Sequence, residues 1–145
     1  MIAMITLPAE IRFVSLASLM ALRVAEIFSE SLIAKGSYED FCDAFELSIS
    51  EAFTNSVKYA VRPDKDTMIT LSFSADNNKL TASISDTNPP FSLDTPAQDI
   101  TTYPVNGFGL LLIRQLMDNV SYIRENGKNL ISMTKEAENS QNQIL

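Results

Sequence analysis

Two pairs of alternating segments constrain this chain most. In Met68–Ser74 (MITLSFS) and Lys79–Ser85 (KLTASIS) apolar and polar residues alternate, and the turn-rich Ala75-Asp76-Asn77-Asn78 joins them. Val120–Glu125 and Asn129–Lys135 flank Asn126-Gly127, a dipeptide suited to a tight hairpin turn. A period of two in paired runs with short links predicts two hairpins. Such a chain has to build antiparallel sheet and find apolar cover for it.

The cover is written in the longer periodic segments. Ile11–Ile33 places Ile11, Val14, Leu16, Leu19, Met20, Leu22, Val24, Ile27, Phe28 and Leu32 at helical spacing, and Gly36 is placed to end that helix. Ser37 is an apt N-cap for a second helix over about Tyr38–Tyr59, with Phe41, Phe45, Ile49, Ala52, Phe53, Val57 and Ala60 as its apolar stripe. Pro63 and Asp64 turn the chain. Met1–Leu7 reads as a further strand stopped by Pro8, and Gly109–Met117 as a third helix. Between Asp86 and Asn106 runs a stretch with four prolines and no period, a length typical of lids or disordered connections. This order predicts an α+β fold of two layers, a mixed and mostly antiparallel sheet with helices on one face. Residues 1–136 are expected to form a single domain and 137–145 a polar tail.

Composition narrows the chemistry. The 145 residues are 46% hydrophobic and 20% charged, enough for a buried core without a disulfide or metal staple. A net charge of −7 repels phosphate backbones and anionic lipid, which argues against direct nucleic-acid or membrane binding. With no histidine, Ser-His-Asp triads, His metal sites and a phosphohistidine on this chain are excluded. Cys42 is the only cysteine, so no internal disulfide or Cys-rich zinc site can form. Phe13–Phe28, interrupted by Arg23 and Glu26, is too short and too charged to span a bilayer, and Met1–Leu7 lacks the basic start of a signal peptide. A soluble cytoplasmic protein is expected.

Three groups of residues could carry chemistry. Glu51 and Asn55 (SEAFTNSVKYA) stand at i, i+4 on one helix face, continued by Lys58 and Tyr59. Their oxygens suit a magnesium ion that keeps most of its waters, or Glu51 could take a proton from an attacking hydroxyl. The same spacing also suits a solvated face with Asp43, Ser50 and Thr54. Asp86 ends an apolar strand (TASISDTNPPF), where it could accept a hydrogen bond from a ligand amine or cap a turn. Asn106-Gly107-Phe108-Gly109-Leu110 holds two of the chain's four glycines ahead of a helix, either a phosphate cradle or a hinge. The order of the three, with a long loop before the last, fits one nucleotide pocket.

On these motifs the sequence resembles the GHKL ATPase superfamily, and within it the serine-protein kinases that act as anti-sigma factors in bacterial partner switching. ELSISEAFTNSVKYA resembles the N box, SISDTNPPF stands where the first glycine box begins, and NGFGLLLIRQLMDNV resembles the second glycine box with its helix. The opening LPAEIRFVSLASLMALRVAEIFSE is also similar to these small kinases, and the resemblance covers roughly Ile5–Lys135. It implies the family's two-layer α/β sandwich (the Bergerat fold), with ATP and Mg2+ as cofactors. By position, Glu51 would be the general base and Asn55 the magnesium ligand. Lys58 would offset phosphate charge. Asp86, with Asn88 beside it, would accept from the adenine amine. Gly107, Phe108, Gly109 and Leu110 would bring backbone N–H groups to the phosphates, and Pro89–Asn106 would form the lid. The implied partners are a STAS-type antagonist bearing the target serine, a sigma factor and a second copy of the chain. Two positions depart from the family pattern. Asn88 stands where a glycine is usual, and asparagine's tolerance of positive φ is expected to keep that turn. Lys128-Asn129 follow Gly127 where a threonine is common. The first departure raises the alternative of a nucleotide-responsive or structural binding module without useful kinase activity.

Overall fold

The computed structural model describes residues 1–30, 35–60, 67–89 and 107–137, with the backbone alone at 35–36 and 107–110. The expected lid beyond Pro89, the turn at Pro63 and Asp64, and the tail beyond Ala137 lie outside the described residues. The elements run β1 (Ala3–Pro8), a short 3-10 turn (Ile11–Phe13), α1 (Val14–Ser29), α2 (Lys35–Lys58), β2 (Met68–Asp76), β3 (Lys79–Asp86), α3 (Gly107–Leu116), β4 (Asn119–Glu125) and β5 (Lys128–Glu136). They form one five-stranded sheet in the order β1-β2-β3-β5-β4. Among the described residues no helix is long and apolar enough to cross a membrane.

Every neighbouring pair is antiparallel, so the expected mostly antiparallel sheet is found, with no parallel pair among the described strands. The connections explain why. Two helices in series return the chain to the end of the sheet that β1 left, so β2 runs back against it. The single helix α3 would make β4 parallel to β3, but β5 is inserted between them. The hairpin turns are tighter than the sequence suggested. The first leaves only Asn77 and Asn78 outside the strands, with Asn77 at φ 55°. The second has Asn126 at φ 54° and Gly127 at φ 77°, the backbone that a two-residue turn between right-twisted strands requires.

Alternation sends Leu7, Ile69, Leu71, Phe73, Leu80, Ala82, Ile84, Ile131 and Met133 to the helix side, all buried. The α2 stripe meets them as expected: Phe41, Phe45, Ile49, Ala52 and Phe53 are buried. For α1 the expected face holds in part: Val24 is buried and Val14, Met20, Leu22 and Phe28 pack against the core. Leu16, Leu19 and Ile27 are exposed, whereas Ala17, Ala21, Val24 and Ala25 are buried. The rings on α2 fill the layer, with Phe41 and Phe45 at 5.1 Å between centroids and Phe28 of α1 at 5.9 Å from Phe41. Only the small-residue side of α1 can approach such a surface closely. Gly36 and Ser37, expected at helix boundaries, both lie inside α2.

The opposite face of the sheet is covered by hydroxyls. Thr6 and Thr70 (3.0 Å), Thr81 and Thr134 (2.8 Å) and Ser83 and Ser132 (3.0 Å) hydrogen-bond across neighbouring strands. A cleft of about 460 Å³ opens at one end of the sheet, lined in part by Thr6, Thr70, Ser85 and Lys128. Of the expected site residues it takes in only Asp86.

Cys42 is buried with its Sγ 3.7 Å from the Ser29 hydroxyl. Burial pushes its thiol above the ordinary value, and Glu26 and Asp43 push it further against the pull of Ser29. Because the thiolate is the reactive form, a thiol reagent is expected to label Cys42 only in denaturant. Labelling of the folded protein at the rate of a free thiol would contradict this burial.

Candidate nucleotide site

The candidate site gathers where the C-terminal half of α2 crosses the ends of β3 and β5. Alternation along β3 puts Asp86 on the same side as Ile84, facing the helices, and it is 6% exposed. Strand register places Asn129 directly opposite Asp86 and Arg124 opposite Asn129. Tyr122, two residues before Arg124, shares its side of β4. On α2, Ser56 turns inward and is buried.

These side chains form one polar network, buried at Ser56, Asp86, Asn88 and Asn129 and reaching the surface at Arg124. The Ser56 hydroxyl donates to Asp86 Oδ2 at 2.7 Å, and the Asn88 backbone N–H donates to Asp86 Oδ1 at 3.0 Å. Asn129 Nδ2 also donates to Asp86 Oδ1, at 2.9 Å. It lies 2.9 Å from the Asn88 carbonyl and 3.2 Å from the Pro89 carbonyl as well. The Tyr122 hydroxyl (2.6 Å) and an Arg124 guanidinium nitrogen (2.9 Å) donate to Asn129 Oδ1, and the same Arg124 nitrogen donates to the Asn88 carbonyl at 2.9 Å. A carboxylate this deep needs such partners, because an unpaired buried charge is strongly unfavourable.

Asn88 does not take the conformation expected for a glycine replacement. Among the described residues the only non-glycine positions at positive φ are Asn77 and Asn126. Asn88 instead buries its side chain and donates from Nδ2 to the Ser56 carbonyl at 2.8 Å, tying the end of β3 to α2. The second departure from the family pattern is equally occupied, since Asn129 is 1% exposed and central to the network.

Asn55 sits beside Ser56, and its Oδ1 is buried with no hydrogen-bond partner among the described residues. A carbonyl oxygen left without a donor is unfavourable unless something else meets it. A hard cation with oxygen ligands fits that vacancy of partners, so the residues present are compatible with magnesium. Glu51 lies one turn earlier, half-buried, and Lys58 is exposed at the end of α2. Neither joins the network among the described residues. Gly107, Phe108, Gly109 and Leu110 form the first turn of α3, two residues ahead of the expected start. Backbone N–H groups of a first helical turn have no intrahelical acceptor, so they remain available to an anion, and α3 packs along α2. Ser56, Tyr122 and Arg124 escaped sequence reasoning, which marked Asn129 only as a departure from the family pattern. The Asn126-Gly127 turn could have paired Arg124 with Asn129, but nothing local points Asn129 at Asp86.

Comparison with known proteins decides the family. The model of the histidine kinase-like ATPase domain matches residues 14–135. The chain belongs to the histidine kinase-like ATPase domain family. Among its relatives is the serine-protein kinase RsbW of Listeria innocua, 36% identical over 138 residues that cover 89% of this chain and 83% of the relative. The serine-protein kinase RsbW of Staphylococcus aureus is 35% identical, with 88% and 82% covered. Two solved structures share the fold. One holds the RsbU and RsbW domains of a Mycobacterium tuberculosis protein, with TM-score 0.54, 17% identity, and 94% of this chain and 34% of that one covered. The other is the histidine kinase AdeS of Acinetobacter baumannii, with TM-score 0.53, 13% identity, and 96% and 70% covered. The two-layer architecture found here, helices on one side of an antiparallel sheet, is therefore that of an ATPase domain.

Proposed function

We propose that this chain is an ATP-dependent serine-protein kinase that acts as an anti-sigma factor in a bacterial partner-switching pathway. The observation that carries the reading is the unpartnered Asn55 oxygen next to Ser56, whose hydroxyl is spent on Asp86. That oxygen is a hard donor one residue from the hydroxyl that α2 directs to the buried Asp86 carboxylate at the end of β3. The RsbW relatives, serine-protein kinases by name at 35–36% identity, support serine as the acceptor.

In this reading Asp86 accepts the adenine amine. The first turn of α3 offers N–H groups to the phosphates, and Lys58 adds positive charge. Asn55 holds Mg2+, which supplies neutralisation of the charge that builds on the phosphates. Glu51 accepts the proton of the target serine as that oxygen bonds to the γ-phosphorus and the bond to the ADP oxygen breaks. The target serine belongs to a STAS-type antagonist, and the unmodified partner is a sigma factor. The protein works in the cytoplasm, without direct contact to nucleic acid, and a homodimer is its assembly. The alternative, a binding module without useful catalysis, was raised by Asn88. Its engagement with the Ser56 carbonyl at 2.8 Å supports an intact site instead.

The test is calorimetric titration with ATP and ADP, with and without magnesium, followed by transfer of labelled phosphate to a cognate antagonist domain. Saturable magnesium-dependent ATP binding and serine labelling are expected; no binding at millimolar nucleotide rejects the reading. Asn55→Ala is expected to weaken ATP binding roughly tenfold to a hundredfold in magnesium and far less in its absence. Equal losses in both conditions would remove Asn55 from the metal.

A further inference from the structure

We propose that Asn129 sets which purine the pocket takes, with Tyr122 and Arg124 holding its carboxamide in the one orientation that does so. The inference rests on the nucleotide reading above and deepens it.

The surroundings of Asn129 fix the direction of its amide without ambiguity. On one side stand only acceptors: Asp86 Oδ1 at 2.9 Å, the Asn88 carbonyl at 2.9 Å and the Pro89 carbonyl at 3.2 Å. On the other stand a guanidinium, which can only donate, at 2.9 Å and the Tyr122 hydroxyl at 2.6 Å. A flipped amide would set its oxygen against three oxygens and its NH2 against Arg124. The NH2 therefore always faces Asp86.

Counting lone pairs then defines what Asp86 can still accept. Oδ1 takes the Asn88 N–H and the Asn129 NH2, which fills it. Among the described residues Oδ2 takes only the Ser56 hydroxyl, which leaves one position. A single acceptor position on a buried carboxylate matches one N–H of an exocyclic amine, as on the 6-position of adenine. It repels the carbonyl that hypoxanthine carries at the same place, because two acceptors then face each other while Ser56, Asn88 and Asn129 hold the carboxylate in one orientation. Without Asn129, Oδ1 regains a free position, the carboxylate is released to turn, and water can enter. Water both donates and accepts, so it can bridge to either purine and the discrimination falls. Tyr122 and Arg124 act through Asn129 and are positioning residues.

The experiment measures Mg·ATP and Mg·ITP dissociation constants by calorimetry for the wild-type protein, Asn129→Ala, Asn129→Thr and the double variant Tyr122→Phe/Arg124→Met, with thermal melting of each. The wild type is expected to prefer ATP by about 10- to 100-fold. Asn129→Ala is expected to bring that ratio down to within a few-fold of unity. Asn129→Thr, which keeps a donor beside Asp86, should retain most of it, and the double variant should fall between. Equal weakening of ATP and ITP by Asn129→Ala, with the ratio preserved, means that Asn129 only supports the fold, and it overturns the inference. If Asn129→Ala fails to fold, the double variant decides: an unchanged ratio overturns the proposal and a reduced one supports it. Absence of ATP binding by the wild type itself would instead sink the nucleotide reading, and this inference with it.

Discussion

Glu51→Gln is expected to lower phosphoryl transfer to the antagonist serine by roughly two to four orders of magnitude while leaving ATP affinity within a few-fold of wild type. The glutamine amide keeps the shape of the carboxyl group but cannot take up the serine proton, and positioned proton transfer contributes on that scale. Glu51 is half-buried on α2 and makes no hydrogen bond among the described residues, so its replacement orphans no buried partner there. That separates it from Asp86, where loss of the carboxylate would strand the donors of Ser56, Asn88 and Asn129. Single-turnover transfer and calorimetric ATP binding on the same preparation check both halves of the expectation. Transfer at the wild-type rate would remove Glu51 from the chemistry and leave the pocket without an identified base.

Phe45→Ala is expected to cost about 3–5 kcal/mol of folding stability. Its ring is fully buried and meets Phe41 at 5.1 Å in the layer between α1 and the sheet. Two helices and a sheet enclose that position, so the cavity left behind cannot easily collapse. Against a typical total of roughly 5–15 kcal/mol, such a loss removes a large fraction, and a fall of about 10 °C or more in melting temperature is expected for a chain of this size. Thermal unfolding followed by circular dichroism measures it. A change below about 1 kcal/mol would mean that this layer repacks around a missing ring and is looser than the geometry shows.

What could be read from the sequence was local. Alternation in MITLSFS and KLTASIS carries its own register, because one face must be dry. The Asn126-Gly127 pair names its turn, and the rings of α2 repeat at helical spacing in plain view. For α1 the periodicity picked out Val24, Met20 and Phe28, which do pack inward, but also Leu16, Leu19 and Ile27, which stay exposed while three alanines are buried. Hydrophobicity ranks residues by transfer energy, whereas a surface of large rings selects the neighbour that fits. The candidate site divides in the same way. Glu51, Asn55 and Asp86 stand in short motifs, but the bond from Asn129 to Asp86 joins residues 43 apart in sequence. It exists only because β5 lies against β3, a choice of strand order that no local pattern encodes. The contact made by Asn88 was hidden for a related reason. In the sequence it is only a residue standing where a glycine is usual, and its bond to the Ser56 carbonyl exists only once β3 ends against α2.

The position of β5 has a consequence for synthesis. It is the last of the described strands to leave the ribosome, and it occupies the sheet between β3 and β4. Until Lys128–Glu136 emerges, a nascent chain presents β3 and β4 as bare edges, the kind of surface that recruits other strands. Closure of the sheet and completion of the Asp86 network fall at the same moment, so a translation product cut short before Asn129 has neither.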